Sequence, residues 1–450
     1  MLTTGDLRQV FGEVLPAALI DEFAVEFGVV ERERKIDIRA FVRSLVIGAG
    51  TPDGGLQADA LRAYLDMNVS EISRAAFYRR FDERLEKLME ALARHAMLYA
   101  AGLEVDLPGI LGGVTDWYIV DSETIKLRRA VKDLLPGCGD YAAIKVHKTL
   151  SLGTGVPLRY HFSPAKEHDS KHLTIDESWR GFGLLADLGY ASLARLAACL
   201  KHGVKFVIRL KENWNAKVEH IARGTVTKTF FKGSDLDALI DADVLVLDDK
   251  VIDCDVKIGP EGRQLALRLV GIPTPKGHCF FLTNLAPRIG PWQVGDLYRV
   301  RWEVELSMKL DKSIQRIDQT KATKAASIKA MLHAGLMASI ITAILVHRHH
   351  LATRPKQGAS RKTAPLHPMQ VARVLYKHAD TIAYAMELEE WGKHEEAAFA
   401  WQLAADKINK NATDPNWQRR PSTLDILRGT KQSPPKKSAK PASQPKVVLK

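Results

Sequence analysis

The chain has 450 residues, of which 65 are Lys or Arg and 53 are Asp or Glu, giving a formal net charge of +12 at pH 7. This charge argues against a cationic partner and favours a polyanion, with nucleic acid ahead of an anionic membrane surface. The length is enough for roughly two to four domains. The four cysteines lie far apart, which argues against a disulfide framework or a cysteine zinc site and favours a reducing, cytoplasmic compartment.

Residues 1 to 108 are predicted to form a helical N-terminal region, because apolar residues recur there at intervals of three and four. Ser73 is placed to cap a helix that continues to about residue 92. Its basic residues, which include Arg79 and Arg80, would lie on the exposed side, as in a helix that reads DNA. An ordinary amphipathic helix gives the same pattern, so both interpretations stay open.

Near residue 109 the pattern changes to strands, and the segment WYIVDSETIKL (117–127) alternates as a sheet strand does. Asp121 lies in its middle, after an apolar run. A carboxylate turned toward a core is costly without a partner or a metal ion, so Asp121 is the first candidate catalytic acid. Glu123 has the same strand parity and is the competing candidate, whereas Asp116 has the opposite parity.

A second candidate acid follows a later strand. Two strand segments, 141–152 and 156–165, precede the apolar segment LLADLGYAS, in which Asp187 ends the apolar run. A helix, SLARLAACLKHG, and a fifth strand, VKFVIRLK, come next. Because ligands collect at the ends of strands in open α/β sheets, Asp187 is expected at a binding site.

Residues 212 to 287 contain short segments rich in β-branched and apolar residues, with turn residues between them. They are predicted to form a β-rich inserted subdomain within a catalytic domain of residues 109–350. Asp253 and Asp255, in one of these segments, are expected on the solvent-facing side of a strand.

The stretch from Ile289 to Gln315 is predicted to be one helix with two distinct faces. An apolar stripe for packing onto a core is formed by Leu297, Val300, Val304 and Met308. Four polar residues at spacings of three, four and seven share another face, namely Tyr298, Arg301, Glu305 and Lys312. A mixed-charge helix face is usually solvated and joined by salt bridges, so this face alone does not establish a site.

The C-terminal part begins with an apolar run, Ala330 to Val346, which is interrupted by His333 and shorter than the roughly 20 residues of a membrane span. It is predicted to be a buried core helix. Residues 351–428 are predicted to be a helical region that starts with a basic linker. The tail, 429–450, has lysines and prolines but no acids, so disorder is expected, either adding DNA affinity or only solubility.

The spelling Tyr-x2-Arg-x3-Glu-x6-Lys, with Trp302 beside the arginine, resembles the signature helix of IS4-family DDE transposases. The resemblance implies an α/β fold with a ribonuclease H-like catalytic core. It also implies two bound Mg²⁺ ions, for which Mn²⁺ can substitute, on the catalytic residues Asp121, Asp187 and Glu305. DNA contacts are implied for Tyr298, Arg301, Trp302 and Lys312.

The function implied by the resemblance is cut-and-paste transposition, with metal-dependent cleavage and strand transfer at the ends of an insertion sequence. The partners would be the inverted repeats and target site in double-stranded DNA, bound by a homodimer in the bacterial cytoplasm at the nucleoid. The alternatives are a noncatalytic or domesticated DNA-binding protein and a nuclease of the same fold. The sequence contains neither GxxxxGK[ST] nor GxSxG, which disfavours ATP-driven chemistry and acyl transfer.

Three histidines lie close together in the sequence, His161 within the third strand segment and His168 and His172 after it. Metal ligation is one interpretation. Histidines that form hydrogen bonds or face DNA are the favoured one.

Overall fold

A computed structural model describes residues 1–30, 36–50, 57–67, 72–107, 109–275, 277–313, 320–356, 359–418 and 422–429. The predicted tail lies outside the described residues except for Gly429. Gln315, the last residue of the predicted signature helix, also lies outside them.

Helices make up both ends of the described part of the chain and flank the strands between them. Their bounds are α1 (Thr4–Val14), α2 (Ala17–Glu26), α3 (Ile38–Ile47), α4 (Gln57–Asp66), α5 (Arg74–Tyr78), α6 (Glu83–Ala101), α7 (Leu193–Lys201), α8 (Leu236–Asp241), α9 (Pro291–Arg299), α10 (Trp302–Ser313), α11 (Ala325–Thr353), α12 (Pro368–Lys377), α13 (Ala379–Glu390), α14 (His394–Asn411) and α15 (Thr423–Leu427).

The helix predicted to begin at Ser73 is two helices. Ser73 caps α5, because its hydroxyl oxygen accepts from the backbone N–H of Ala76 at 3.2 Å. The chain then leaves the helical path. The Asp82 carboxylate accepts hydrogen bonds from the backbone N–H groups of Arg84 and Leu85, and this cap starts α6. An aspartate at an N-cap favours a new start over a continuing helix, so the prediction of one helix was wrong.

Helix α11 is the centre of a helical body in which the N-terminal and C-terminal helices share one core. It packs against α1, α3, α6 and α12. By length and composition α11 could cross a membrane, but 83% of its most apolar window is buried inside the protein. The prediction of a buried core helix is therefore confirmed.

The strands form a mixed sheet in the order β3-β2-β1-β4-β5-β12-β11-β10-β6-β8. β1 is antiparallel to β2, and β4 and β5 run parallel to β1, as expected for a ribonuclease H-like core. The bounds of these five strands are β1 (Trp117–Leu127), β2 (Ala142–Ser151), β3 (Pro157–Pro164), β4 (Gly183–Ala186) and β5 (Lys205–Arg209).

The inserted strands extend this central sheet instead of forming a sheet of their own. β12 pairs with β5 in antiparallel fashion, and β11, β10, β6 and β8 follow. Only the short strands β7 and β9 form a separate pair among the described residues. The bounds are β6 (Lys217–Arg223), β7 (Thr225–Val226), β8 (Ser234–Asp235), β9 (Leu245–Val246), β10 (Ile252–Ile258), β11 (Leu265–Thr274) and β12 (Gly277–Thr283).

The two faces of the sheet are covered by different helices, and this decides where the side chains of β1 point. Ile119 belongs to the core that contains the apolar residues of α9 and α10, whereas Val120 belongs to the core on the α7 side. Since side chains alternate along a strand, Asp121 shares the face of Ile119 and looks toward α9 and α10.

Candidate functional site

Strand register brings Asp121 and Asp187 side by side. β1 and β4 are parallel, and Val120 is the partner of Ala186 in their ladder. Each aspartate directly follows one member of that pair, and neighbouring strands are about 4.8 Å apart. Ligands bind outside the carboxyl ends of parallel strands, which is where Asp187 lies. The two acids, 66 positions apart in the numbering, therefore meet at one place.

Glu305 comes to the same place on α10. The predicted apolar stripe is buried as expected, since Leu297, Val300, Val304 and Met308 all expose 6% or less of their surface. The prediction of one continuous helix was wrong, because α9 ends at Arg299 and α10 begins at Trp302. Tyr298 therefore lies on a different helix from Glu305, although both helices press on the same face of the sheet.

Arg301, in the break between the two helices, joins two of the acids. Its Nη1 donates to Asp121 Oδ2 at 3.1 Å and its Nη2 donates to Glu305 Oε1 at 2.6 Å. Its Nε has no hydrogen-bond partner among the described residues. The guanidinium also lies over the Tyr298 ring, with 5.8 Å from its carbon to the ring centroid. The guanidinium thus neutralises charge where the carboxylates converge.

The charges of this cluster are coupled through Asp121. Burial raises the pKa of Asp121 to about 6, and the negative charges of Asp187 and Glu305 add to the increase while Arg301 opposes it. A buried carboxylate among like charges is a common feature of functional sites. It also fits the oxygen ligands that hard divalent cations prefer.

The carboxylates of the three candidate acids do not converge on one cation site in this structure. In the described parts of the chain, one group of three potential ligands has all its ligand atoms within 4.8 Å of one another, and that group consists of histidines. The carboxylates of Asp121, Asp187 and Glu305 do not form such a group, and Arg301 lies between two of them. They offer the right ligand chemistry in an arrangement that must tighten to bind a cation.

Lys312 forms an ion pair with Glu123, the competing candidate for the catalytic acid on β1. The Nζ atom of Lys312 lies 2.6 Å from Glu123 Oε1, in a half-buried ion pair between α10 and β1. Glu123 is therefore held by a lysine, whereas Asp121 faces the other acids. Asp116 is buried and accepts hydrogen bonds from Ser151 Oγ and from two backbone N–H groups, so it serves the fold.

Two buried ion pairs that hold this site were missed by sequence reasoning. Lys148 on β2 contacts Asp311 on α10 and donates to Ser307 Oγ at 3.1 Å. The register pairs Lys148 with Asp121, so this anchor lies directly beside the acid. A basic residue at a buried position of an apolar strand was the available signal.

The second pair corrects the expectation for Asp253. Arg268 on β11 makes a bidentate contact with Asp253 on β10, at 2.8 Å for both oxygens. Asp253 is buried, whereas Asp255 is exposed as expected. The register of β10 with β11 is continuous, so the two aspartates share one side of β10, and only Asp253 lies where Arg268 and the chain before α9 cover that side. Arg268 also donates to the carbonyls of Ala286 and Ile289 and so fixes the chain entering α9.

The remaining predicted DNA contacts lie at the surface to different degrees. Trp302 is 56% exposed at the start of α10. Arg79 is exposed next to α5, but Arg80 donates to the backbone carbonyl of Val29 at 3.1 Å. Arg80 therefore supports the packing of the N-terminal helices, which the position in the sequence could not reveal.

A ribonuclease H-like sheet with acids on β1, after β4 and on a following helix defines the class of DDE recombinases. The chain belongs to the transposase DDE domain family, whose model matches residues 113–341. This membership makes it a DNA transposase, an enzyme that cleaves DNA and transfers strands, in a family that depends on divalent metal ions.

Curated relatives agree with this family. The chain is 24% identical over 330 residues to the transposase of insertion sequence IS1151 from Clostridium perfringens, covering 64% of this chain and 69% of the relative. It is 22% identical over 396 residues to the IS231C transposase of Bacillus thuringiensis subsp. berliner, covering 76% and 80%. A solved piggyBac transposase synaptic complex with hairpin DNA aligns with a TM-score of 0.49 and 12% identity, over 91% of this chain and 86% of that one.

Proposed function

We propose that the chain performs cut-and-paste transposition of its own insertion sequence, with Asp121, Asp187 and Glu305 as the catalytic acids. These side chains would hold two Mg²⁺ ions, or Mn²⁺ in their place. Held there, such cations would supply the Lewis acidity that activates a water molecule or a 3′-hydroxyl group and stabilises the departing oxygen. The observation that carries the proposal is the register that sets Asp121 beside Asp187, with Glu305 joined to Asp121 through one guanidinium.

In this proposal Arg301 also occupies the place of the metal ions, because its positive charge balances the acids until cations replace it. Its terminal nitrogens occupy one oxygen of Asp121 and one of Glu305, so these two oxygens compete between the guanidinium and a cation. A DNA phosphate is a bidentate partner of the same kind for a guanidinium. When DNA binds, Arg301 would move to a phosphate and release both carboxylates. The acids would then be able to bind the metal ions only once the substrate is in place.

The other contacts to DNA are proposed along α9 and α10. Tyr298 and the exposed Trp302 offer aromatic faces, and Lys312 offers an ammonium group once it leaves Glu123. Arg79 adds an exposed charge on the N-terminal helices. Contacts of this kind to phosphates make binding fall steeply with salt. We further propose a homodimer in the DNA complex, located in the bacterial cytoplasm at the nucleoid.

The test uses a labelled end of the insertion sequence, purified protein and Mg²⁺. Glu305→Gln should reduce nicking and strand transfer to background while binding of the end is retained. Glu303→Gln is the matched control, because Glu303 lies two residues away on the same helix and has Arg428 and Asp425 as its charged neighbours. This variant should cleave as the unaltered protein does.

Each alternative predicts a different result in the same assay. Binding of the end without any cleavage by the unaltered protein would favour a noncatalytic DNA-binding protein. Equal cleavage of unrelated DNA would favour a nuclease. Cleavage by Glu305→Gln at the normal rate would remove Glu305 from the catalytic site.

A further inference from the structure

Three histidine side chains meet on the sheet face opposite to Asp121. His147 lies on β2, His161 lies on β3, and His172 ends the helical turn 169–172. One nitrogen from each lies within 4.8 Å of the others. The His147 ring stacks on both neighbours, with centroid distances of 4.6 Å to His161 and 4.1 Å to His172. His168 is not part of this group, and its ring accepts from the backbone N–H of Ser170 at the start of the turn.

The spacing of two of these nitrogens is that of ligands on one metal ion. His161 Nε2 and His172 Nδ1 are 3.3 Å apart. Two nitrogens bound to a tetrahedral zinc at 2.0–2.1 Å are separated by about 3.3 Å. The other nitrogen of His172, Nε2, lies 2.8 Å from Glu167 Oε2. A carboxylate behind a histidine is the usual outer support of a metal ligand, since it fixes the ring orientation and tautomer.

His147 supplies the buried side of the group. Only 3% of its surface is exposed, and its two nitrogens have hydroxyl partners, Ser163 Oγ at 2.9 Å and Tyr190 Oη at 3.2 Å. Burial lowers the pKa of His147 to about 3, so its ring is neutral at pH 7. As a ligand it would exchange one hydroxyl for the ion and keep the other as its supporting hydrogen bond.

The turn that carries His172 is held in place by buried contacts. Arg195 on α7 donates to the carbonyl of Leu173 at 3.1 Å through Nε and also to the carbonyls of Ser170 and Tyr190. Asp169 accepts from Ser122 Oγ at 2.7 Å and from Lys145 at 2.9 Å. The backbone that carries His172 is therefore fixed, and the stacked imidazole rings need only turn about their side-chain bonds to aim their nitrogens at one ion.

We propose that His147, His161 and His172 bind one Zn²⁺ ion, or a transition metal with the same preference for imidazole. A solvent molecule would complete the four ligands, because His161 is exposed. The ion joins β2, β3 and the turn 169–172. Tyr190, the hydroxyl partner of His147, donates its backbone N–H to the carbonyl of Asp187 at 3.0 Å, so the ion also steadies the turn that presents Asp187.

The experiment uses untagged full-length protein freed of metal by a chelator and kept in excess Mg²⁺, which prefers oxygen ligands and leaves the histidines available. Co²⁺ is titrated while its visible absorption reports tetrahedral binding, and Zn²⁺ is then added as competitor. One equivalent should bind. His161→Ala and His172→Ala should lose it, and Glu167→Gln should weaken it by about 10–100-fold.

His168→Ala is the matched control from the same turn and should bind as the unaltered protein does. Thermal unfolding provides a second readout, since Zn²⁺ should raise the Tm of the unaltered protein and of His168→Ala but not of His161→Ala. The proposal is overturned if no stoichiometric ion binds, or if His168→Ala loses the ion as fully as His161→Ala does. Asp121→Asn and Glu305→Gln should retain the zinc, and its loss in them would also overturn the proposal. This outcome is independent of whether the acids cleave DNA.

Discussion

Replacing Arg301 by glutamine tests whether the guanidinium keeps cations out of the acid cluster. Arg301→Gln removes the positive charge that binds Asp121 and Glu305 and leaves a shorter, neutral polar side chain. We expect divalent cations to bind more tightly to the variant in the absence of DNA, because neither carboxylate must first release an arginine.

The size of the effect follows from one contact. A hydrogen bond to a charged group contributes about 1.5–3 kcal/mol, which corresponds to about 10–150-fold in affinity. The side chains of Arg301, Asp121 and Glu305 are 15%, 17% and 30% exposed, so solvent screens the contact in part. The lower end applies, and Mn²⁺ should bind about tenfold more tightly to Arg301→Gln.

The assay is a Mn²⁺ titration followed by electron paramagnetic resonance, with and without the DNA end. DNA should tighten Mn²⁺ binding to the unaltered protein and have much less effect on Arg301→Gln, as coupling through one residue requires. Arg299→Gln is the control, because Arg299 is exposed and pairs with Asp296 on its own helix. Equal or weaker Mn²⁺ binding to Arg301→Gln without DNA would refute the reasoning.

Two further predictions concern buried charges. Lys148→Met should destabilise the protein by about 3–5 kcal/mol in chemical unfolding, because Asp311 is left buried without its partner. The double variant with Asp311→Leu should recover most of the loss, and a single variant as stable as the unaltered protein would contradict this. Burial raises the pKa of Glu387 from 4.5 to about 7, so the folded protein loses stability as pH rises through that range. Glu387→Gln should therefore raise Tm at pH 8 and leave it unchanged near pH 4. Glu395 is exposed, so Glu395→Gln should leave Tm unchanged at both pH values. A gain in Tm at pH 4 alone would count against the raised pKa of Glu387.

Sequence patterns located the elements and the acids of the site but not the contacts between them. The strand around Asp121, the apolar stripe of α9 and α10, and helices α12 to α14 follow from periodicity, which reports which side of an element is buried. The bridge from Arg301 to Asp121 joins residues 180 positions apart and depends on how α9 and α10 pack on the face of β1. Periodicity carries no information about such pairings.

Breaks in regular structure were the other limit. Asp82 restarts the helix after α5, and the backbone turns between α9 and α10 at Val300 and Arg301. Each replaces one predicted helix by two, since a local cap or turn outweighs a continuous hydrophobic pattern. Asp253 was missed for another reason, because its burial depends on Arg268 of the neighbouring strand, a pairing that periodicity does not report.

Strand β5 is the neighbour of β4, the strand that ends just before Asp187. Because β12 pairs with β5 on its other side, β5 is not an edge of the sheet. If residues 212–287 were cut out and the ends joined, β5 would present its unpaired N–H and C=O groups to solvent. Exposed strand edges of that kind recruit other chains. A shortened protein of this design should therefore aggregate. The insertion covers the edge of β5, so it opposes self-association as well as extending the catalytic core.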